Sequence, residues 1–509
     1  MASDSWLDDI PPPTSHSIRI WVDDKDTTLD LEGNAIHAMN RLPATAPARA
    51  LWEWSTSLDT KIPSAPESHS TLQKMLGEVD ISNMKGEHLR AAEQLTQLPL
   101  TSGFIHGGPG TGKSKLMRDL AVGLMDNGIR QIFWIAPQNS LLNDMAKKFR
   151  QDRPDKLIIR LRPIQAEIKV VVNDAMNKFR LNTDAAPDCE RLLAMSLNRM
   201  KNDQDRDSIP NSLIHSIATT TDAHLRERWR FLVSHRDSEF DNKDELTATV
   251  RKLLLKHAAQ ADIILATPAS IAQYINTAKS QQPTFIFTDD VGRMTEILTW
   301  LVLSKCPHAP AIQAGDIKQS KPITRAYRGG IPTVFDRQRA ISLLERLTQL
   351  EHIDVTLKDN HRVQGNVHAW AQMYFYRDEM NVINNEMSPA NRRASDDFMT
   401  TVFGYVPRSN LVFVDMTETR ETQVGVTWKN ADNAEFVIET AVQMYSAFTI
   451  TFGRKPSVLI NTPYAAQKLE LQGRFKSVQT YKVDKNMFRI MTVDAASNRY
   501  ADIIFTDLV

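Results

Sequence analysis

Two cysteines in 509 residues, Cys189 and Cys306, provide neither a disulfide framework nor a metal-ligand spacing, as in proteins of reducing compartments. No apolar run approaches the roughly 18 residues that cross a bilayer. The opening segment, with Asp4, Asp8 and Asp9, has no hydrophobic signal core. These absences give the expectation of a soluble protein of the cytoplasm or nucleus, without a membrane partner. Charge of one sign is also missing: Lys+Arg and Asp+Glu each number 61, a formal net charge of zero. The total therefore gives no argument for nucleic acid, and any such site has to be a local groove. What is present is ordinary globular material. With 42% hydrophobic and 24% charged residues the chain can bury large cores, and its length allows about three domains.

Residues 1–75 are uneven. A proline run at Pro11 to Pro13 and the Pro-, Ala- and Ser-rich stretch from Pro43 to Ser70 read as linker, with one strand expected over Ser17–Val22. From about residue 100 short apolar strands alternate with helices, the signature of parallel α/β sheets. Strands are expected at Phe104–Ile105, Ile132–Ala136, Ile263–Ala266, Phe285–Phe287, Ala311–Ala314, Leu411–Val414, Val458–Ile460, Ile490–Val493 and Ile503–Phe505. The helix after residue 116 is expected to stop at Gly128 in the left-handed conformation. So many strands exceed one sheet. The expected fold is therefore α/β with two P-loop-type parallel-sheet domains, 76–335 and 336–509, after a small N-terminal region. Residues 155–258 are polar and helical in pattern and read as a helical insertion, whose Lys156, Arg160, Arg162 and Lys169 form either a solvated face or a nucleic-acid contact.

The run Gly107, Gly108, Pro109, Gly110, Thr111, Gly112, Lys113, Ser114 satisfies GxxxxGK[ST] between an expected strand and an expected helix. Glycines let backbone N–H groups converge on phosphate oxygens, and the helix N-terminus adds a favourable dipole. Lys113 is placed to reach the β- and γ-phosphates of ATP, and the Ser114 hydroxyl to ligate Mg²⁺. A second acidic site is needed. Asp289 and Asp290, at the end of the strand from Phe285, supply it, Asp289 for the metal and Asp290 to orient and deprotonate the attacking water.

Over roughly residues 90–509 the chain resembles the superfamily 1 helicases of the nonsense-mediated-decay type, in the family's motif order. Besides the phosphate loop, Ala136 to Ser140 resembles motif Ia, Ala266 to Pro268 the next nucleic-acid-contacting motif, and Asp289 to Arg293 motif II. Gly315 to Gln319 with Pro322 matches motif III. Ser342 to Leu347, Asn360 to Val363, Thr462 to Tyr464 with Gln467, and Thr492 to Ala495 follow in register. The resemblance implies two RecA-like domains with ATP in the cleft between them and single-stranded RNA or DNA across their top faces. It assigns Gln319 as γ-phosphate sensor and Arg362 as an arginine finger from the second domain. Pro137, Gln138, Asn139, Thr267 and Thr462 would line the strand channel.

The pattern also departs from the family. Asp290 stands where a longer Glu is usual, His361 where a base-stacking Tyr is usual, and Ala496 to Tyr500 replaces the continuation of motif V. Val509 precedes the expected position of motif VI, so the second domain reads as incomplete at its C-terminus. No Gln occupies the adenine-specifying position upstream of the loop, Gln94 being the nearest. Two functions are thereby expected in competition: an ATP-dependent RNA or DNA helicase or translocase, and a helicase-like protein that binds nucleotide or single strands without unwinding. A signalling NTPase of another P-loop branch is disfavoured by Gly315 to Gln319 and Thr462 to Gln467.

Overall fold

The computed structural model describes residues 27–43, 45–56, 71–98, 100–168, 172, 212–234, 243–278, 282–322, 339–362, 369–383, 396–401, 404, 411–479, 483–496 and 499–509. The expected strand at 17–22 and Lys169 lie outside these residues. The first unit is built on seven parallel strands: β1 (Ser102–Gly107), β2 (Ile132–Ile135), β3 (Ile158–Arg160), β4 (Ile263–Ala266), β5 (Phe285–Asp289), β6 (Ala311–Gly315) and β7 (Val355–Leu357). Their order is β3-β4-β2-β5-β6-β1-β7. A parallel sheet is covered on both faces, so its strands read as continuous apolar runs. Along β2 the side chains alternate accordingly: Ile132 and Trp134 enter one core, Phe133 and Ile135 the other. Helices α3 (Leu72–Leu76), α4 (Gly86–Gln97), α5 (Lys113–Asp126) and α6 (Asn139–Asp152) close the first face.

The other face is covered by α1 (Thr27–Arg41), α2 (Pro47–Thr56), α7 (Leu213–Ala218), α8 (Ala223–Ser234), α9 (Lys243–Ala258), α10 (Pro268–Ala278), α11 (Glu296–Lys305) and α12 (Leu343–Gln349). The predicted stop of α5 is found: Gly128 has φ 78°, and Ile129 N–H donates to Leu124 O at 3.0 Å. A second parallel sheet, β13-β12-β14, joins β12 (Val458–Thr462), β13 (Phe488–Thr492) and β14 (Ile503–Thr506). It packs against α13 (Ala431–Phe452) and α14 (Ala465–Ser477). The mixed α/β architecture with two parallel sheets is the expected one.

Three expectations are corrected. The stretch read as linker contains α2, because Ala48, Leu51 and Trp54 fall on one helical face and enter the core. There Trp54 stacks on His352 at 4.0 Å and Trp52 meets Trp300 edge-on at 5.1 Å. Residues 155–258 are not wholly helical: Ile158–Arg160 forms the edge strand β3, too short for its period to show against helical neighbours. The segment Leu411–Val414 is no strand; it pairs with no described strand, and Phe413 is 83% exposed. Beyond residue 336, α12 enters the first core and β7 pairs with β1. Two-residue β8 (Asp359–Asn360) and β9 (Asn381–Val382) then lead away from the first sheet.

Lys156, Arg160 and Arg162 of the insertion do not form a solvated face. Arg160 is fully enclosed, its guanidinium donating to Asn139 and Asn143 side chains and to Leu161 O. Arg162 is buried, and the Lys156 ammonium donates to Met125 O at 2.8 Å. Beside them Glu167 accepts from Arg162 N and Ile214 N, yet burial raises its carboxyl to about 7. Its native pKa exceeds its unfolded one, so the stability it contributes is complete below about 4.5 and is lost as pH rises through about 7. At roughly 1.4 kcal/mol per pKa unit this amounts to about 3 kcal/mol. Urea unfolding of the wild type should show stability falling between pH 5 and pH 8, and Glu167→Gln should flatten that slope.

Candidate nucleotide site

The strand order explains how the site assembles. β6 lies between β1 and β5, and registers of His106 to Gly315 and Asp289 to Ala314 align all three carboxyl ends. Residues leaving those ends share one crevice, the usual ligand position of an open α/β sheet. There Ser114 Oγ, in the first turn of α5, donates to Asp289 Oδ1 at 2.9 Å.

The loop between β1 and α5 turns on two left-handed glycines. Gly110 and Gly112 take φ of 75° and 82°, and Gly112 is the left-handed N-cap of α5. A Cβ on Gly112 would lie 2.4 Å from the His88 ring, and one on Gly110 2.3 Å from Asn360 Oδ1. Thr111 Oγ1 donates to Gly108 O at 2.9 Å, closing the turn. The Lys113 ammonium donates to Gly107 O and Gly108 O, at 2.7 and 2.9 Å. Burial lowers its pKa, while Asp316, Asp289 and Asp290 act the other way.

The acids are similarly enclosed. Burial raises Asp289, and Ser114's hydrogen bond opposes this. Asp290 is raised to about 6, first by burial and then by Asp289, with Arg293 opposing. Asp290 sits at φ 60°, which Asp tolerates better than most residues. The turn after it is tight because Gly292 packs on the backbone of Asp316, where a Cβ would meet Asp316 O at 2.5 Å. Asp316 is buried, accepts from Tyr376 Oη at 2.7 Å and from Lys318 N at 2.9 Å, and lies 3.8 Å from His106 Nε2. Gln319 is half-buried within reach of the Tyr376 hydroxyl.

Arg362 does reach the loop, but not across from the second sheet. It follows β8 directly, its N–H donating to Asn360 Oδ1 at 2.9 Å, while His361 N donates to Gly110 O at 3.1 Å. Gln94 is held by Asp354 O at 2.6 Å on α4, with no contact to the loop. The side chain that touches the loop from α4 is His88, whose Nε2 lies 2.8 Å from Thr111 O and whose ring faces His361 at 6.2 Å. Sequence reasoning missed His88, Asp316's buried network and Asn360's contact with Gly110. The last two carried a signal, the motifs in which Asp316 and Asn360 stand.

Four of the expected strand-channel residues leave neighbouring strands, since β2 and β4 end level with Ile135 beside Ala266, while Thr462 ends β12 of the second sheet. Pro137, Gln138 and Asn139 follow β2, where Gln138 is turned towards Arg293 and Asn139 holds Arg160. Thr267 caps α10 through Ser270. Thr462 is fully buried, accepting from Tyr464 N at 3.4 Å. Gln467 is likewise internal, bonding Asn430 and Asp507. One ion pair joins the two units here: Arg499 Nη1 to Asp144 Oδ2, 2.6 Å.

Two family models match, both described as AAA domains, one over residues 87–325 and one over residues 339–509. Together they take in most of the chain, including every motif described above. The chain belongs to the superfamily 1 helicases. No curated protein matches it. Among solved structures it is similar to one titled "Crystal structure of Arterivirus nonstructural protein 10 (helicase)", at 11% identity and a TM-score of 0.29. The match covers 85% of this chain and 57% of that one, so the chain spans little more than half of that relative's length.

The loop geometry generates a stability prediction. Gly112→Ala combines a strained left-handed residue, about 1–2 kcal/mol, with a clash that His88 can relieve only by giving up its contact with Thr111 O. Its thermal midpoint should fall by several degrees, and adding His88→Ala should recover the steric part but not the conformational part. A midpoint equal to wild type in Gly112→Ala alone would contradict the loop conformation.

Proposed function

We propose that the chain binds ATP with Mg²⁺ on the Gly107 to Ser114 loop and hydrolyses it, in the manner of a nucleic-acid-dependent helicase or translocase. The observation that carries this reading is Ser114 Oγ at 2.9 Å from Asp289 Oδ1 directly behind a glycine loop whose lysine points into the same crevice. The residues fit the cation: a hydroxyl and a carboxylate are hard oxygen donors, and Mg²⁺ takes one or two such ligands together with water and phosphate. Once bound, it would neutralise phosphate charge.

The chain's own residues supply the rest. Lys113 exchanges Gly107 O and Gly108 O for phosphate oxygens, so its buried charge gains an anionic partner. Asp290, titrating near 6, is largely ionised at neutral pH and can accept the proton of the attacking water. Gln319, through Tyr376 and Asp316, senses the γ-phosphate side, and Arg362 beside Gly110 offsets charge developing on the transferred group. Single-stranded RNA or DNA would cross the carboxyl ends of the strands near Pro137 and Thr267.

A second reading, nucleotide turnover without strand separation, is favoured by one observation. Gln138, Asn139, Thr267 and Thr462, four of the five channel candidates, make internal contacts.

Steady-state ATPase with and without single-stranded RNA and DNA, alongside a duplex-unwinding assay, separates the two. Stimulation by single strands together with unwinding supports the first; turnover without unwinding supports the second; no nucleotide binding rejects both. Lys113→Ala should weaken Mg·ATP binding at least about tenfold, or 1.4 kcal/mol. Unliganded stability should stay level or rise, because burial disfavours the ammonium.

A further inference from the structure

Arg293 sets a guanidinium beside Asp290, the acid proposed to activate water. It is buried at 8% exposure, at the end of the three-residue turn that Asp290 begins, and its own N–H donates to Asp290 O at 3.0 Å. Its Nη1 lies 3.9 Å from Asp290 Oδ2. The same fork reaches the end of the neighbouring strand β2, where the Gln138 carboxamide, with its amide turned so that the oxygen faces the fork, accepts from Nη2 at 3.0 Å and Nη1 at 3.2 Å. A buried cation needs both an opposite charge and hydrogen-bond acceptors. Here Asp290 supplies the charge and Gln138 the acceptor, from two different strands of the sheet.

We propose that Arg293 is a positioning residue that fixes the Asp290 carboxylate and makes its placement depend on the Pro137–Asn139 turn. The geometry gives three reasons. Asp290 stands in a left-handed conformation at the head of a three-residue turn that ends at Arg293, so the turn itself sets the two side chains side by side. The planar fork of Arg holds two partners in a set geometry, which a lysine point charge does not. Finally, Gln138 begins α6, the helix whose Asp144 meets Arg499 of the second unit. A shift of that turn, by nucleic acid or by movement of the second unit, is thereby transmitted to the acid by one side chain. Turnover then responds to what touches the turn, although the turn holds no nucleotide ligand.

This rests on the reading of Asp290 as the group that activates water, and the test keeps the two apart. Single-turnover ATP hydrolysis, with enzyme in excess so that slow rates are measured, is run on wild type, Asp290→Asn, Arg293→Gln, Gln138→Ala and the Arg293→Gln/Gln138→Ala pair. Positioning predicts that Arg293→Gln lowers the rate roughly ten- to a hundredfold, the cost of misplacing a catalytic group by about 1 Å, with Mg·ATP affinity within about twofold. Gln138→Ala should lower it in the same direction, and the double variant should be no slower than Arg293→Gln alone. Gln138 is half-buried and its removal opens no core, so it carries the test if Arg293→Gln does not fold. An unchanged rate in Arg293→Gln or Gln138→Ala, a loss of affinity with the rate kept, or fully additive losses would overturn the inference. Absence of wild-type turnover, or an unaffected rate in Asp290→Asn, would instead overturn the reading on which it rests.

Discussion

Ser114 and Asp289 are 175 residues apart in the chain, and the 2.9 Å hydrogen bond between them depends on the sheet being in register. β6 must lie between β1 and β5, and the three must end level, or the hydroxyl and the carboxylate never meet. Much else follows from that constraint. Gly292 and Gly315 let the turn after β5 pack backbone against the turn after β6, leaving no room for a Cβ. Gly110 and Gly112 let the loop after β1 fold over the same crevice against Asn360 and His88. The glycines thus serve two ends, conformational freedom in the loop and close approach beneath it.

The same crevice concentrates buried charge. Lys113, Asp289, Asp290, Arg293 and Asp316 are enclosed or nearly so. Burial pushes the two β5 carboxyls up and the Lys113 ammonium down, while the opposite charges pull each back. Such a set is costly to fold and is retained where its charges are needed. The lysine satisfies itself on the loop's own carbonyls, so the proposed nucleotide binding would exchange one set of hydrogen bonds for a charged set and leave no donor unmet.

Much of this was legible in the sequence, for physical reasons. The loop announces itself through glycine spacing, and buried parallel strands through apolar runs, so β1, β2, β4, β5, β6, β12, β13 and β14 were all anticipated. Short elements were not: β3 and β7 have three residues each, fewer than a period needs to declare itself. The run Leu411–Val414 has strand composition but no described partner strand, and composition cannot report pairing. At the site, residues carrying a motif were found, while those defined only by tertiary contact were not. His88 reaches Thr111 from a helix that ends before β1 begins, and Arg293 finds Gln138 at the end of the neighbouring strand. Arg160 shows the opposite error, a basic residue that looks solvent-facing in sequence and is enclosed in the fold.

The central claim is that the crevice over β1, β6 and β5 is one nucleotide and Mg²⁺ site rather than two unrelated polar clusters. Isothermal titration of the full chain with ADP, in Mg²⁺ and again in excess chelator, tests it most directly. A single saturable site whose affinity rises with Mg²⁺, with that dependence removed in Asp289→Asn, is the predicted result. Binding that ignores Mg²⁺, or a Mg²⁺ dependence that survives Asp289→Asn, would contradict the account.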